Sequence, residues 1–272
     1  METWKRTVYI SLVCVFCTAF GVSQLAPILP LYFHDLGVQT PEAMSLWSGL
    51  ATGATYIIVC LAAPFWGRVA DKKGRKITLI RSSFGMALCN ILIAFQTTPE
   101  GVVLIRLVQG LVSGFYSASI TLIASESPIE RTGWALGLLA SANLAGSLIG
   151  PLLGGYIADT VGIRNDFIIV GTLMGLAGVL ATIFIHENYV PKPNPEKLSI
   201  RKLKEQIPEF NSIIALCVAS FIYAICIMSL QPVISVYIKG IVPSDTENLA
   251  FIAGAVFSAM GIAQLMSSSP LG

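Results

Sequence analysis

The sequence predicts an all-α protein that threads a membrane several times, and two observations carry that prediction. The chain of 272 residues is 54% hydrophobic and only 12% charged, with a mean hydropathy of +0.75, whereas soluble domains carry about 25% charged residues. The apolar residues are also gathered into eight runs, each about as long as the roughly 20 residues a helix needs to cross the hydrocarbon core. Strands of a membrane barrel would instead alternate over about 10 residues. So little charge excludes a soluble enzyme, a disordered chain and a nucleic-acid binder. A formal net charge of 17 − 15 = +2 implies no acidic partner.

The first run, 7–33, follows Lys5 and Arg6 and is too long for the apolar region of a cleaved signal peptide, which is about 7–15 residues. It reads as an uncleaved first span. The runs 46–66, 77–97, 102–124, 133–157 and 167–186 complete a set of six, and 211–238 and 249–270 follow. Each is rich in Leu, Ile, Val and Ala, with Gly, Ser and Thr between them that let helices approach closely in lipid. The cations fix the orientation. Alternate connections hold Lys5, Arg6, Arg68, Lys72, Lys73, Arg75, Lys76, Arg81, Arg131, Lys192, Lys197, Arg201, Lys202 and Lys204, against only Arg164 and Lys239 on the other side. Fourteen against two places the N-terminus in the cytoplasm.

The connection 187–210 differs from the rest. It carries Pro191, Pro193 and Pro195, then a basic stretch with Leu198, Leu203 and Ile207, and reads as an extended segment followed by a short amphipathic helix on the membrane surface. It separates a six-span bundle (1–186) from a second, incomplete bundle (211–272) with spans seven and eight. A shift of 205 residues superposes Leu25, Pro27, Tyr32, Glu42, Gly49, Ala54, Ile57 and Gly67 on Leu230, Pro232, Tyr237, Glu247, Gly254, Ala259, Ile262 and Gly272 without a gap. Two homologous halves follow, the second ending two spans in.

Three patterns carry mechanism. Between the second and third spans, Gly67, Asp71, Gly74, Arg75 and Lys76 form G-x-x-x-D-x-x-G-R-K, with Pro64 ahead; taken alone it is a basic turn reversing on glycine. In the fourth span, Arg106, Gln109 and Gly110 form R-x-x-Q-G, with Arg106 taken as the one cation inside a span. A charge there costs at least a few kcal/mol unless it faces a cavity or a partner. In the fifth span, Gly137, Gly146, Gly150, Pro151, Gly154 and Gly155 form G-x8-G-x3-G-P-x2-G-G; such glycines line one face and admit a neighbouring helix, while the proline bends its own. Cys14 and Cys17 form C-x-x-C in an apolar run with no second ligand pair, and read as packing residues. No metal cluster, nucleophile–base pair or phosphate loop is present, and an enzyme is unsupported.

Together these patterns resemble motifs A, B and C of the major facilitator superfamily, and within it the bacterial twelve-span drug:proton antiporters. The resemblance implies the superfamily fold, here a six-helix N-terminal bundle and about two helices of its twin. It implies proton-coupled export of amphipathic small molecules across the cytoplasmic membrane by two rocking bundles. Protons, lipid and the small molecule are the implied partners of a monomer, with no cofactor beyond the proton gradient. Arg106 and Gln109 take the proton-coupling role, Arg106 through an acidic partner. Asp71 and Arg75, with Glu126 as the acid for Arg75, form a charge latch. Motif C favours export.

Two readings stay beside it: a narrow carrier of a sugar, metabolite or siderophore, and a truncated product without transport. The chain ends at Gly272, where a second motif A would begin. Deep in the spans no Asp or Glu is found, which leaves the proton carrier unassigned, while His34, Asp35 and His186 sit at span ends. Gln24, Asn90, Tyr116, Asn143, Tyr223, Met228 and Gln231 are the candidate cavity positions.

Overall fold

The computed structural model describes residues 3–187, 210–242 and 248–271. Ten helices are described: α1 Thr3–Ser23, α2 Leu25–Asp35, α3 Pro41–Lys73, α4 Arg75–Ala94, α5 Pro99–Val112, α6 Phe115–Glu126, α7 Ile129–Val161, α8 Ile163–Phe184, α9 Phe210–Ile241 and α10 Leu249–Leu271. Six helical stretches among the described residues are long and apolar enough to span a membrane: α1, α3, α4, α5–α6 together, α7 and α8. The expected amphipathic helix in the 187–210 connection falls outside the described residues.

Local signals explain the boundaries. Helices α3 and α5 both begin Thr-Pro-Glu. Thr40 and Thr98 accept from the N–H of Ala43 and Gly101, Pro41 and Pro99 occupy the first turn, and Glu42 and Glu100 sit at the positive helix end. Helix α3 continues through Gly67 and Asp71, so motif A is not the multi-residue turn expected. The reversal rests on Gly74 alone, whose φ of +91° a residue with a Cβ rarely adopts.

Two spans are divided. The first breaks at Gln24, where Pro27 and Pro30 lack the N–H groups that Ser23 and Ala26 would receive in a continuous helix. Ser235 Oγ of α9 donates to the freed Ala26 carbonyl at 3.5 Å. The fourth span breaks between α5 and α6, where Ser113 is extended and Gly114 is left-handed at φ +110°.

The helices enclose three apolar clusters. One, at the end carrying Asp71, gathers Val8, Leu79, Phe115, Leu122, Leu139 and Ile185. Another, at the opposite end, holds Ile28, Tyr32, Phe33, Ile93 and Phe167, with the Tyr32 and Phe167 rings edge-on at 5.2 Å. Phe20, Met86, Val170 and Met174 form the third. Helix α1 packs on α7 and α8, α4 on α8, and α3 on α5; α10 lies against α7, and α9 against α2 and α3. Large apolar side chains such as Ile57, Leu61 and Leu104 point outward, as a surface solvated by lipid requires.

Candidate functional site

Motif A surrounds an open cleft of about 350 Å3, lined by Trp66, Gly67, Asp71, Arg75, Arg81 and Ser113 among others. The first turn of α4 has no side-chain cap of its own. Glu187 supplies one, its two carboxylate oxygens accepting the N–H groups of Arg75 and Lys76 at 2.8 Å each. Lys76 Nζ donates to Thr182 O at 2.9 Å. Glu126, the expected acid for Arg75, is the last residue of α6.

The break in the fourth span exposes carbonyls that need donors. Trp66 Nε1 donates to Leu111 O at 2.8 Å, and Arg81 reaches Leu111 O at 3.1 Å and Ser113 O at 3.0 Å. The guanidinium lies 3.5 Å from the centre of the Trp66 ring. The charge distribution along the sequence puts Arg81 with the loop cations and leaves Arg106 alone inside a span. That expectation is corrected, since Arg81 belongs to the second turn of α4 and is held there by stacking and a planar fork that fits two acceptors.

Arg106 is 6% exposed and Gln109 is buried one turn on. Arg106 Nη1 donates to Gln109 Oε1 at 2.7 Å, and the Arg106 carbonyl accepts from Thr55 Oγ1. Among the described residues no acid pairs with Arg106, contrary to the expectation, and its Nε has no acceptor. Gly110 lies against the backbone of α3, where a methyl would come within 2.5 Å of Thr55 O.

Motif C does not present a single face. Gly146 and Gly150 abut α1 and Gly154 the break that follows it; added methyls would meet Phe16 O at 2.5 Å, Phe20 O at 2.6 Å and Gln24 Cβ at 2.6 Å. Gly155 and Pro151 instead abut α10, with Gly155 2.7 Å from the Ala250 carbonyl carbon on the same measure and Gly254 opposite Pro151 O. Gly137 meets nothing within 4 Å, because nine residues at about 100° each place it half a turn from Gly146. The junction is reinforced by Ser258 Oγ on Leu148 O at 2.6 Å. Asp159, one turn beyond the motif, accepts the N–H of Ala250 at 3.1 Å and of Phe251 at 2.7 Å.

The cavity positions fare unevenly. Gln24 and Asn90 are fully buried between helices; Asn90 Nδ2 donates to Met86 O. Tyr116 is exposed and Asn143 half-buried. The side chains of Tyr223, Met228 and Gln231 lie outside the described residues. Cys14 is buried and donates to Ala177 O, while His34 lies 3.8 Å from Asp35 at a helix end. The run 167–186 places Asp166 in a connection, with the sixth span starting after it. It lies instead in the first turn of α8, wholly buried, and accepts from Gln24 Nε2 at 3.1 Å. No acid deep in a span had been expected, and a run count that starts at the first apolar residue passes over a buried acid one place earlier.

The sequence matches the family model of the Major Facilitator Superfamily over residues 11–272. The chain belongs to that superfamily. It is 36% identical over 271 residues to a protein named Multidrug resistance protein MdtG from Proteus mirabilis, covering 100% of this chain and 67% of that one. The protein of the same name from Dickeya zeae is 37% identical over 269 residues, with coverage of 99% and 66%, and that from Rahnella 35%, with 99% and 65%. The chain thus spans about two-thirds of the length of the curated relatives it matches. Among solved structures it resembles a D-xylose-proton symporter (TM-score 0.62, 15% identity, 97% of this chain and 66% of that one). It also resembles the human organic anion transporter MFSD10 (TM-score 0.60, 17% identity, 77% and 55%). These two likenesses establish the fold. As a Major Facilitator Superfamily member this is a multi-pass membrane protein of a transporter family rather than an enzyme.

Proposed function

We propose that the chain is the larger part of a multidrug exporter that moves amphipathic small molecules out of a bacterial cell in exchange for protons. The kinship along this whole chain to proteins named for multidrug resistance, at 35–37% identity, carries this reading, and the close approach of Gly155 and Pro151 to α10 supports it. In it, residues 1–186 form one bundle, 187–210 a cytoplasmic linker and 211–272 part of the second bundle, in the cytoplasmic membrane with the N-terminus inside. The bundles part alternately at the Asp71 end and at the Asp159 end, each ligand favouring the state it binds better. Arg106 and Gln109 serve the proton coupling, Asp71, Arg75 and Glu126 the latch at the cytoplasmic end, and the half-buried Asn143 and exposed Tyr116 remain the cavity candidates of the described set.

The test is accumulation of a fluorescent amphipathic cation in cells expressing the protein. Lower accumulation that returns to the control level when the proton gradient is dissipated is the expected result. Accumulation unchanged over a broad drug panel would overturn the reading.

A further inference from the structure

Gln24 and Asp166 face each other with an incomplete set of hydrogen bonds. Both are fully buried, and Gln24 Nε2 donates to Asp166 Oδ2 at 3.1 Å. The remaining oxygens of the same two groups, Gln24 Oε1 and Asp166 Oδ1, are buried with no donor. An ionised carboxylate only accepts, and an amide oxygen only accepts, so as drawn the pair has two idle acceptors. One proton removes both faults. Bonded to Asp166 Oδ1, it makes a neutral acid whose O–H donates to Gln24 Oε1 while Oδ2 goes on accepting from Nε2.

Among the described residues no rival donor reaches either idle oxygen. At this end of the elements packed around Asp166 the charged or titratable groups are Tyr32, His34 and Asp35 of α2, Tyr156 and Asp159 of α7 and Arg164 of α8; Tyr156 is exposed, its ring edge-on to Phe251. Tyr32 donates to Ile93 O at 2.8 Å, Asp35 lies beside His34, Asp159 holds the amides of α10, and Arg164 reaches Gln96 O. The mid-section of α4 offers Asn90, whose Nδ2 is committed to Met86 O, and Cys89. The site also sits where movement would be felt. Gln24 marks the division of the first span, and its side chain rests on Gly154 of the helix whose next residue, Gly155, abuts α10.

We propose that Asp166, ringed with Gln24, is a proton-binding site of this chain. A proton from the aqueous phase bonds to Oδ1 when the helices close over the pair, and returns to water when the first, fifth and sixth spans part around Gln24. Its use in driving export rests on the function proposed above; its existence does not.

The experiment is infrared difference spectroscopy of the purified chain in lipid nanodiscs between acidic and alkaline pH. The expected result is a protonated-carboxyl C=O band that is lost in Asp166→Asn, moved in frequency in Asp166→Glu, and displaced in Gln24→Leu, which removes the ring partner. Asn can accept from Nε2 and donate to Oε1, so that variant is expected to fold, and its unfolding temperature checks this. A difference spectrum unchanged by Asp166→Asn would overturn the proposal. A band that behaves as expected in a chain that exports no drug would overturn the function proposed above and leave the proton site standing.

Discussion

Asp159 and Phe251 are joined across two helices. The Asp159 carboxylate accepts the Phe251 N–H at 2.7 Å and that of Ala250 at 3.1 Å. A side chain of α7 thereby does for α10 what a capping residue does for its own helix, helped by the partial positive charge at a helix start. Asp159→Ala removes both bonds, a loss of about 1–3 kcal/mol. The expected outcome is a broader, longer distance distribution between spin labels at Leu153→Cys and Met260→Cys. The background for that measurement replaces the exposed cysteines Cys60, Cys217 and Cys226.

Two glycines of one motif are expected to respond with opposite sign. Gly137→Ala adds a methyl into open space within a helix, a gain of about 1 kcal/mol from helix propensity. Gly155→Ala drives a methyl against the backbone of Ala250 and Phe251, an overpacking that costs about 1–3 kcal/mol. Thermal unfolding in detergent should rise for the first and fall for the second.

Arg81→Lys replaces a stacked fork by a single point charge. It cannot meet Leu111 O and Ser113 O and cover Trp66 together, and the expected cost is about 2 kcal/mol. Amide exchange should quicken in the turns on either side of Gly114, and the Trp66 emission should shift as its ring loses the guanidinium.

Glu187→Ala uncovers the Arg75 and Lys76 amides. Loss of a cap is worth about 1 kcal/mol, so those amides should exchange roughly fivefold faster, with the core of α8 unaffected.

Arg106→Lys keeps the charge yet loses the geometry that meets Gln109 Oε1. The expected outcome is normal membrane insertion and an unfolding temperature near the parent's, with drug efflux lost. Normal efflux by this variant would remove Arg106 from the coupling machinery.

Much of the architecture could be read from composition alone, because apolar length is a coarse property that lipid enforces on every span. The starts of α3 and α5 are written in the two Thr-Pro-Glu sequences, yet runs begun on apolar residues at 46 and 102 pass over them. The divisions of the first and fourth spans were not read, since Pro27, Pro30 and Gly114 interrupt helices without interrupting hydrophobicity. The same coarseness hid Arg81 and Asp166. Both lie within a few residues of a helix start, where a hydropathy window assigns polar residues to the connection, and only packing decides that they turn inward. The motifs located their residues well but not their neighbours. Regular spacing suggested one glycine face, whereas adjacent Gly154 and Gly155 point to different neighbours, Gln24 at the break of the first span and α10.

Glu187, just beyond the end of α8, is fastened to α4 at the turn that Gly74 makes. The end of the sixth span is therefore tied to the motif A turn. Two stretches more than a hundred residues apart thus share one joint, and a shift of either end displaces the other.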